Sequence, residues 1–277
     1  MPNEEQATFM RILFIGDIFG NPGRKVVAHL LPRIKEEYGI DFVIANGENA
    51  AGGMGITPPV ARELFSSGIG VITTGNHVWK YKEIVEFIKN EPRLLRPLNY
   101  PPDVPGSGSV VLDQGKAKIG VINLMGRTFL SEVDCPFRRG AEEVKRIREE
   151  ASVIVVDMHG EASSEKVAMG WFLDGTVSAV IGTHTHIQTA DERILPQGTA
   201  YITDAGMTGS RDSVIGIKTE IAIRKFLTQM PIRFEVGKEN LVFCGVVIDV
   251  DQSSGKAFSI QRLQTELGKH KEGDNGG

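Results

Sequence analysis

Five apolar runs in this chain end in polar residues: RILFIGD to Asp17, DFVIANGEN to Glu48 and Asn49, GVITTGNH to Asn76 and His77, SVIVVDMHG to His159, and SAVIGTHTH to His184 and His186. Runs this short and this apolar read as buried strands, and the segments between them carry helical spacing. Strands alternating with helices build an α/β fold in which polar residues just past the strands gather along one rim of a sheet. That constraint ties residues far apart in sequence to one place in space.

The rest of the chain fits this alternation. Strands are expected at Arg11–Ile15, Asp41–Ala45, Val71–Thr73, Val153–Asp157 and Val177–Ile181. Shorter ones follow at Ile194 and Ala200–Thr203. Helices are expected at Pro22–Glu37, with Pro22 in the first turn, and at Pro58–Ser66, Lys80–Lys89, Glu142–Glu150, Ser164–Leu173 and Ile217–Leu227. Val110–Asp113 and Ala117–Asn123 flank a DQGK turn and predict a hairpin. Leu241–Val250 and Ala257–Gln264 predict a closing strand pair. Glu91–Pro105 contains five prolines and predicts a long ordered rim. With no repeat and no linker, the expected architecture is α/β: a four-layer α/β/β/α sandwich of mixed sheets. A single domain is expected over residues 10–267, with flexible ends at 1–9 and 268–277.

Composition narrows the function. The net charge of −4 argues against a broad nucleic-acid surface, so no stable nucleic-acid partner is expected. No stretch approaches the ~18 unbroken apolar residues of a membrane span, and the N-terminus lacks an apolar signal core; the expected location is cytoplasmic. Cys135 and Cys244 make no disulfide framework and are expected to be reduced.

Taken singly, the polar residues are weak signals. An Asp after a strand is commonly a helix cap or turn residue, and the same applies to Glu48 and Asn49 in a Gly-containing loop. His77 alone could be structural. The His184-x-His186 pair is sharper, because an extended backbone would put both rings on one side. Together the set Asp17, Glu48, Asn49, Asn76, His159, His184 and His186 is oxygen and nitrogen only, which suits iron or manganese, with zinc also allowed. It is too large for one closed four-coordinate ion. Two ions sharing a carboxylate is the simpler arrangement, and such pairs hydrolyse phosphoesters. His29, in the first helix, and His270, in the polar tail, read as bystanders.

The order of Asp, acidic/Asn loop, GNH, His and H-x-H resembles the calcineurin-like metallophosphoesterases. Three positions depart from the usual pattern: Phe19 where a second His is expected, Asn46-Gly47-Glu48-Asn49 in place of GD-x-x-D, and Thr183 before His184 in place of Gly. With these departures the chain resembles the YmdB-type bacterial metallophosphodiesterases, on GDIFG-NPGR, NGENAAGGMGIT, TGNHVW, LLRPLNYP, HGEASSEK and GTHTHIQTADERILPQGTAYITDAGMTG. The match runs from Met10 to the final strands; Ser210-Arg211 after Gly209 is a local difference that bears on substrate preference if that loop faces the ligand.

The resemblance implies that Asp17, Glu48, Asn49 and His186 hold one transition-metal ion and that Glu48, Asn76, His159 and His184 hold a second, with Glu48 bridging. Iron is the implied metal, then manganese, then zinc. The implied activity is hydrolysis of 2′,3′-cyclic or 3′,5′-cyclic nucleotide monophosphates by a metal-bridging hydroxide, with His77 as general acid. The implied partner is this small phosphodiester, with no membrane involved; a homo-oligomer stays open. The alternatives are a phosphomonoesterase on the same site (a nucleotidase or phosphoprotein phosphatase) and a non-catalytic cyclic-nucleotide-binding regulator.

Overall fold

Period-two alternation in the apolar runs dictates the layering. The computed structural model describes residues 9–268, Lys116 aside. In chain order the elements are β1 (Phe9–Ile15), β2 (Asp17–Ile18), α1 (Gly20–Tyr38), β3 (Phe42–Asn46), α2 (Pro58–Ser66), β4 (Val71–Thr73), α3 (Ile84–Asn90), β5 (Ser109–Asp113) and β6 (Lys118–Met125). There follow α4 (Pro136–Ile147), β7 (Val153–His159), α5 (Ser163–Leu173), β8 (Ala179–Thr183), β9 (Arg193–Ile194), β10 (Ala200–Ile202), β11 (Met207–Ser210), α6 (Thr219–Thr228), β12 (Leu241–Asp251) and β13 (Ala257–Glu266).

Two mixed sheets result. One runs β2-β11-β12-β1-β3-β4, with β13 also on β12; the other runs β5-β6-β7-β8-β10-β9. Ile12 and Phe14 of β1 and Phe42 and Ile44 of β3 point into a core between the sheets, where they meet Val153 and Val155 of β7 and Ala179 and Ile181 of β8. The alternate residues Leu13, Ile15, Val43 and Ala45 face outward onto α1 and α2, packing with Val26, Leu31, Ala61 and Leu64. Ile154, Val156 and Val180 face the opposite way onto α4 and α5, with Val144, Ile147 and Met169. Successive strand residues point to opposite faces, so strands apolar at every position must be covered on both sides. The result is the expected α/β/β/α sandwich.

Within each sheet the strands that carry the polar residues run parallel to one another: β1, β3 and β4 in the first, and β7 and β8 in the second. Their C-terminal ends therefore lie along one rim.

Several boundaries differ from expectation. α3 begins at Ile84, not Lys80, since residues 76–83 form turns. α4 spans Pro136–Ile147 and not Glu142–Glu150; Pro136 sits at its first position, where a missing N–H costs nothing. β2 and β11 were not expected, as two and four residues are too short to show a period. Glu91–Pro105 is an ordered rim: the buried Arg96 guanidinium donates to the carbonyls of Pro97 (2.8 Å), Val104 (3.2 Å), Leu98 (3.3 Å) and Pro105 (3.3 Å). Phe9 pairs with Asp251 as the first residue of β1. The expected flexible ends lie, apart from Phe9 and Gly268, outside the described residues, as does His270. No helix among the described residues is long and apolar enough to cross a membrane.

Candidate metal centre

The C-terminal rims of both sheets bring the predicted residues together. Asp17 follows β1, Glu48 and Asn49 follow β3, Asn76 and His77 follow β4, His159 ends β7, and His184 and His186 follow β8. Asp17, Glu48 and His159 are fully buried, and Asn49 nearly so. One glycine is dictated by this crowding. A Cβ on Gly75 would lie 2.2 Å from His159 Nε2 and 2.4 Å from Glu48 Oε2, so the GNH turn reaches the centre only with glycine there.

Three lone-pair groups converge on His159 Nε2: Glu48 Oε1 at 3.2 Å, His184 Nδ1 at 3.0 Å and Asn76 Oδ1 at 3.2 Å. Glu48, His159 and His184 can each offer one atom to a common ion, with those atoms within 4.8 Å of one another. A second group adjoins it. His186 Nε2 lies 3.6 Å from Asp17 Oδ1 and 3.1 Å from Asn49 Nδ2, and Asn49 Nδ2 donates to Glu48 Oε1 at 3.1 Å. Glu48 thus stands between the two groups. Asn49 turns its amide nitrogen toward them and its oxygen toward His77, so ligation by its oxygen requires the amide to rotate.

The donor chemistry fits a cation. Asp17 Oδ1 is a buried carboxylate oxygen with no hydrogen-bond partner, which is costly unless a positive charge faces it. His159 is held down by burial, but Glu48, Asp17 and Asp157 outweigh that and push it up to about 9. His184, by contrast, is lowered to about 4 by burial and by the neighbouring His159. Burial alone would raise the Glu48 carboxyl; contacts with His159 and His77 instead hold it well below the usual carboxylate range. Against the effect of burial, the carboxylates push both His159 and His186 up, so the cluster favours positive charge, a condition that a metal ion also satisfies.

The expectation of an extended His184-Thr185-His186 is corrected. Both histidines have left-handed backbones, with φ of 99° and 65°, so their rings diverge: His184 turns to His159, and His186 to Asp17. Such strain persists only when surrounding bonds over-determine it. Here His184 N donates to Asp17 Oδ2 at 3.0 Å. Thr185 donates to Asp204 Oδ2 from its backbone at 3.0 Å and from its hydroxyl at 2.7 Å. Buried Lys166 bridges Asp204 Oδ2 (2.9 Å) and the Thr183 carbonyl (3.2 Å).

Sequence reasoning did not single out this support. Thr183, one of the departures noted above, has a structural reason: its hydroxyl lies 2.9 Å from His159 Nδ1 and donates to Asp157 Oδ1 at 2.7 Å. Asp157 also accepts from Thr73 and from Asn46 Nδ2 (3.1 Å), and Asn46 Oδ1 accepts from Glu48 N at 3.1 Å. The ends of β3, β4, β7 and β8 thus share one buried carboxylate, which burial raises to about 6 against these hydrogen bonds. Glu161 Oε2 lies 3.1 Å from His184 Nε2 and orients that ring. The HGEASSEK and ITDAG segments contain Glu161, Lys166 and Asp204, but nothing in their spacing revealed the contacts.

His77 belongs to the same assembly. Its backbone N donates to Glu48 Oε2 at 3.2 Å, and its Nδ1 lies 3.0 Å from Asn49 Oδ1 and 3.2 Å from Glu48 Oε1. The ring is partly exposed to a cleft of about 340 Å³ that opens onto Glu48, His184 and His186. Arg211 pairs with Glu266 and lines a separate depression beyond His186, and Ser210 is buried with its hydroxyl on the Glu239 carbonyl. His29 stays on α1, its Nδ1 2.8 Å from the Lys25 carbonyl. Cys135 and Cys244 are both free.

Comparison with known proteins finds relatives that span nearly the whole chain. The profile of the family described as YmdB-like protein matches residues 13–263. A Bacillus subtilis protein named 2′,3′-cyclic-nucleotide 2′-phosphodiesterase is 48% identical over 254 residues, covering 92% of this chain and 96% of its own. A hypothetical protein from Thermus thermophilus has a crystal structure that superimposes with a TM-score of 0.87 at 40% identity, over 93% of this chain and 99% of that one. The crystal structure of a protein described as a novel phosphatase, from Mycoplasma pneumoniae, gives a TM-score of 0.88 at 34% identity, over 94% of each chain.

Proposed function

The chain belongs to the YmdB-like family, and on that premise we propose that it is a metal-dependent phosphodiesterase that hydrolyses cyclic nucleotide monophosphates. The 2′,3′-cyclic esters are the first candidates, by the name of the Bacillus subtilis relative, and the 3′,5′-cyclic esters the second. The observation that carries this reading is the convergence of Glu48, His159 and His184 beside the partly exposed His77.

Two ions are the proposed complement, iron first, then manganese, then zinc. Asp17, Glu48, Asn49 and His186 would hold one; Glu48, Asn76, His159 and His184 would hold the other. When bound, such a pair acidifies a water toward neutral pH and neutralises phosphate oxygens. The chain's own residues do the rest. Glu48 ties the two groups together. Thr183 and Asp157 hold the His159 ring, and Glu161 holds that of His184. Glu48 Oε1 lies 3.2 Å from His77 Nδ1, which leaves Nε2 to carry a proton to the leaving alkoxide. Retention of that group favours catalysis over a purely binding role, since a regulator needs no leaving-group acid.

The test uses metal-loaded protein on a panel of cyclic nucleotides and phosphomonoesters, with His77→Ala alongside. The variant is expected to keep its metals and to lose roughly 10²–10⁴-fold in kcat on nucleotides. The loss should shrink with an aryl diester, whose phenolate leaves without a proton. Faster turnover of monoesters than of diesters would favour the phosphatase alternative. Loss of a metal in His77→Ala would make His77 a ligand and remove the proton-donor role.

A further inference from the structure

We infer that the apolar lining beside the histidine cluster is a nucleobase subsite, and that it admits a nucleoside carrying a single phosphate; the inference rests on the phosphodiesterase reading above. The lining of the cleft is of two kinds: Glu48, His77, His184 and His186 are polar, and Met54, Ile215, Ile217, Phe234 and Val236 are apolar. Phe234 is 48% exposed and Ile215 45% exposed, and both open onto the cleft. The exposed half of such a side chain contributes nothing to folding. A flat aromatic ring laid against them removes that surface from water, and stacking of this kind tolerates every base. The cleft volume of about 340 Å³ lies in the range of small-molecule sites.

Phe19 lies between the polar and apolar residues of the lining. Its ring meets that of His186 edge-on at 5.5 Å between centroids. A Cβ added at Gly53 or Gly216 would come within 2.9 Å or 2.4 Å of that ring, so both loops close directly on it. The residue that stands where the calcineurin-like pattern has a second His therefore packs between His186 and the two glycine loops beside the apolar lining. Charge limits what else can enter. Among the described residues lining the cleft there is no lysine or arginine, while Glu161 and Glu235 are present, Glu235 paired with Lys218 at 2.7 Å. A phosphate at the metal centre is accommodated; a second one would meet Glu161 and, beside Glu235, a lysine already paired.

The experiment compares adenosine 2′,3′-cyclic phosphate with ribose 2′,3′-cyclic phosphate, which lacks the base, on metal-loaded wild type, Phe234→Ala and Ile215→Ala. Calorimetric binding of adenosine 3′-monophosphate, ribose 3-phosphate and adenosine 3′,5′-bisphosphate runs in parallel. Wild type is expected to favour the adenosine ester in kcat/KM, and the adenosine monophosphate in Kd, by roughly 5- to 100-fold, the range of a base–aromatic stack. Both variants should bring these ratios toward one. The bisphosphate should bind no tighter than the monophosphate. Equal ratios in wild type, in turnover and in binding, would overturn the subsite, and tighter binding of the bisphosphate would overturn the single-phosphate limit. If neither ester is turned over but the base preference in binding persists and falls in Phe234→Ala, the subsite stands and the phosphodiesterase reading fails.

Discussion

His159 Nδ1 and Thr183 Oγ1 lie 2.9 Å apart, and the threonine hydroxyl donates onward to Asp157 at 2.7 Å. Because that hydroxyl spends its hydrogen on the carboxylate, it must accept from the imidazole. His159 is thereby held in one orientation, with Nε2 aimed at Glu48, Asn76 and His184. Partners of this kind orient ligating histidines in metal sites generally.

Removing the relay should loosen the metal without unfolding the chain. Thr183→Ala is expected to weaken metal binding roughly 10–100-fold, and Thr183→Ser, which keeps the hydroxyl, to restore most of it. Competitive metal titration against a chromophoric chelator measures this. Equal affinity in Thr183→Ala and wild type would show that the hydroxyl does not position the ring.

Glu48 stands between the two ligand groups, whereas Asp17 belongs to one. Elemental analysis of fully loaded protein should find close to two transition-metal ions per chain. Glu48→Gln should lower occupancy at both positions, and Asp17→Asn mainly at the one beside His186. Saturation at a single ion in wild type would rule out the shared-carboxylate arrangement.

Lys166 and Asp204 form a buried pair beneath the His184–His186 turn. Lys166→Met leaves Asp204 buried without its cation, an omission expected to cost about 3–5 kcal/mol. Arg33→Ala, which removes the exposed pair with Glu37, should cost at most about 0.5 kcal/mol. Urea unfolding of both variants against wild type is the measurement, and similar midpoints for the two would contradict the assignment.

Burial pushes the Cys244 thiol up to about 11, while Cys135 is half-buried at the start of α4. Iodoacetamide at about pH 8 should therefore alkylate Cys135 well before Cys244, since the thiolate is the nucleophile. The sign for stability follows. Between the ordinary thiol value of about 8.5 and about 11, the unfolded chain releases a proton that the native chain keeps. Stability falls as pH rises through that window, and Cys244→Ala should flatten the slope. Mass spectrometry of native protein checks the first claim, and unfolding across the window checks the second.

The apolar runs ending at Asp17, Asn46, Thr73, His159 and Thr183 determined by themselves that this chain has buried strands and that the residues proposed as metal ligands sit at their ends. Strand periodicity is local, so it is legible in sequence, and with it the two-sheet sandwich and the rim that gathers the ligands. Hydrogen bonding across strands is not local. Only the tertiary structure decided that Asp157 joins Asn46, Thr73 and Thr183 below the centre, and that Lys166 and Asp204, 38 residues apart, hold the histidine turn. The divergence of His184 and His186 was likewise undecided in sequence, because a left-handed backbone at two histidines is intrinsically unfavourable and exists here only through bonds to Asp17 and Asp204. Phe19 shows the same division. Its position two residues after Asp17 marks it as a departure in the ligand pattern, but its place between Gly53, Gly216 and His186 arises from three distant loops closing on one ring.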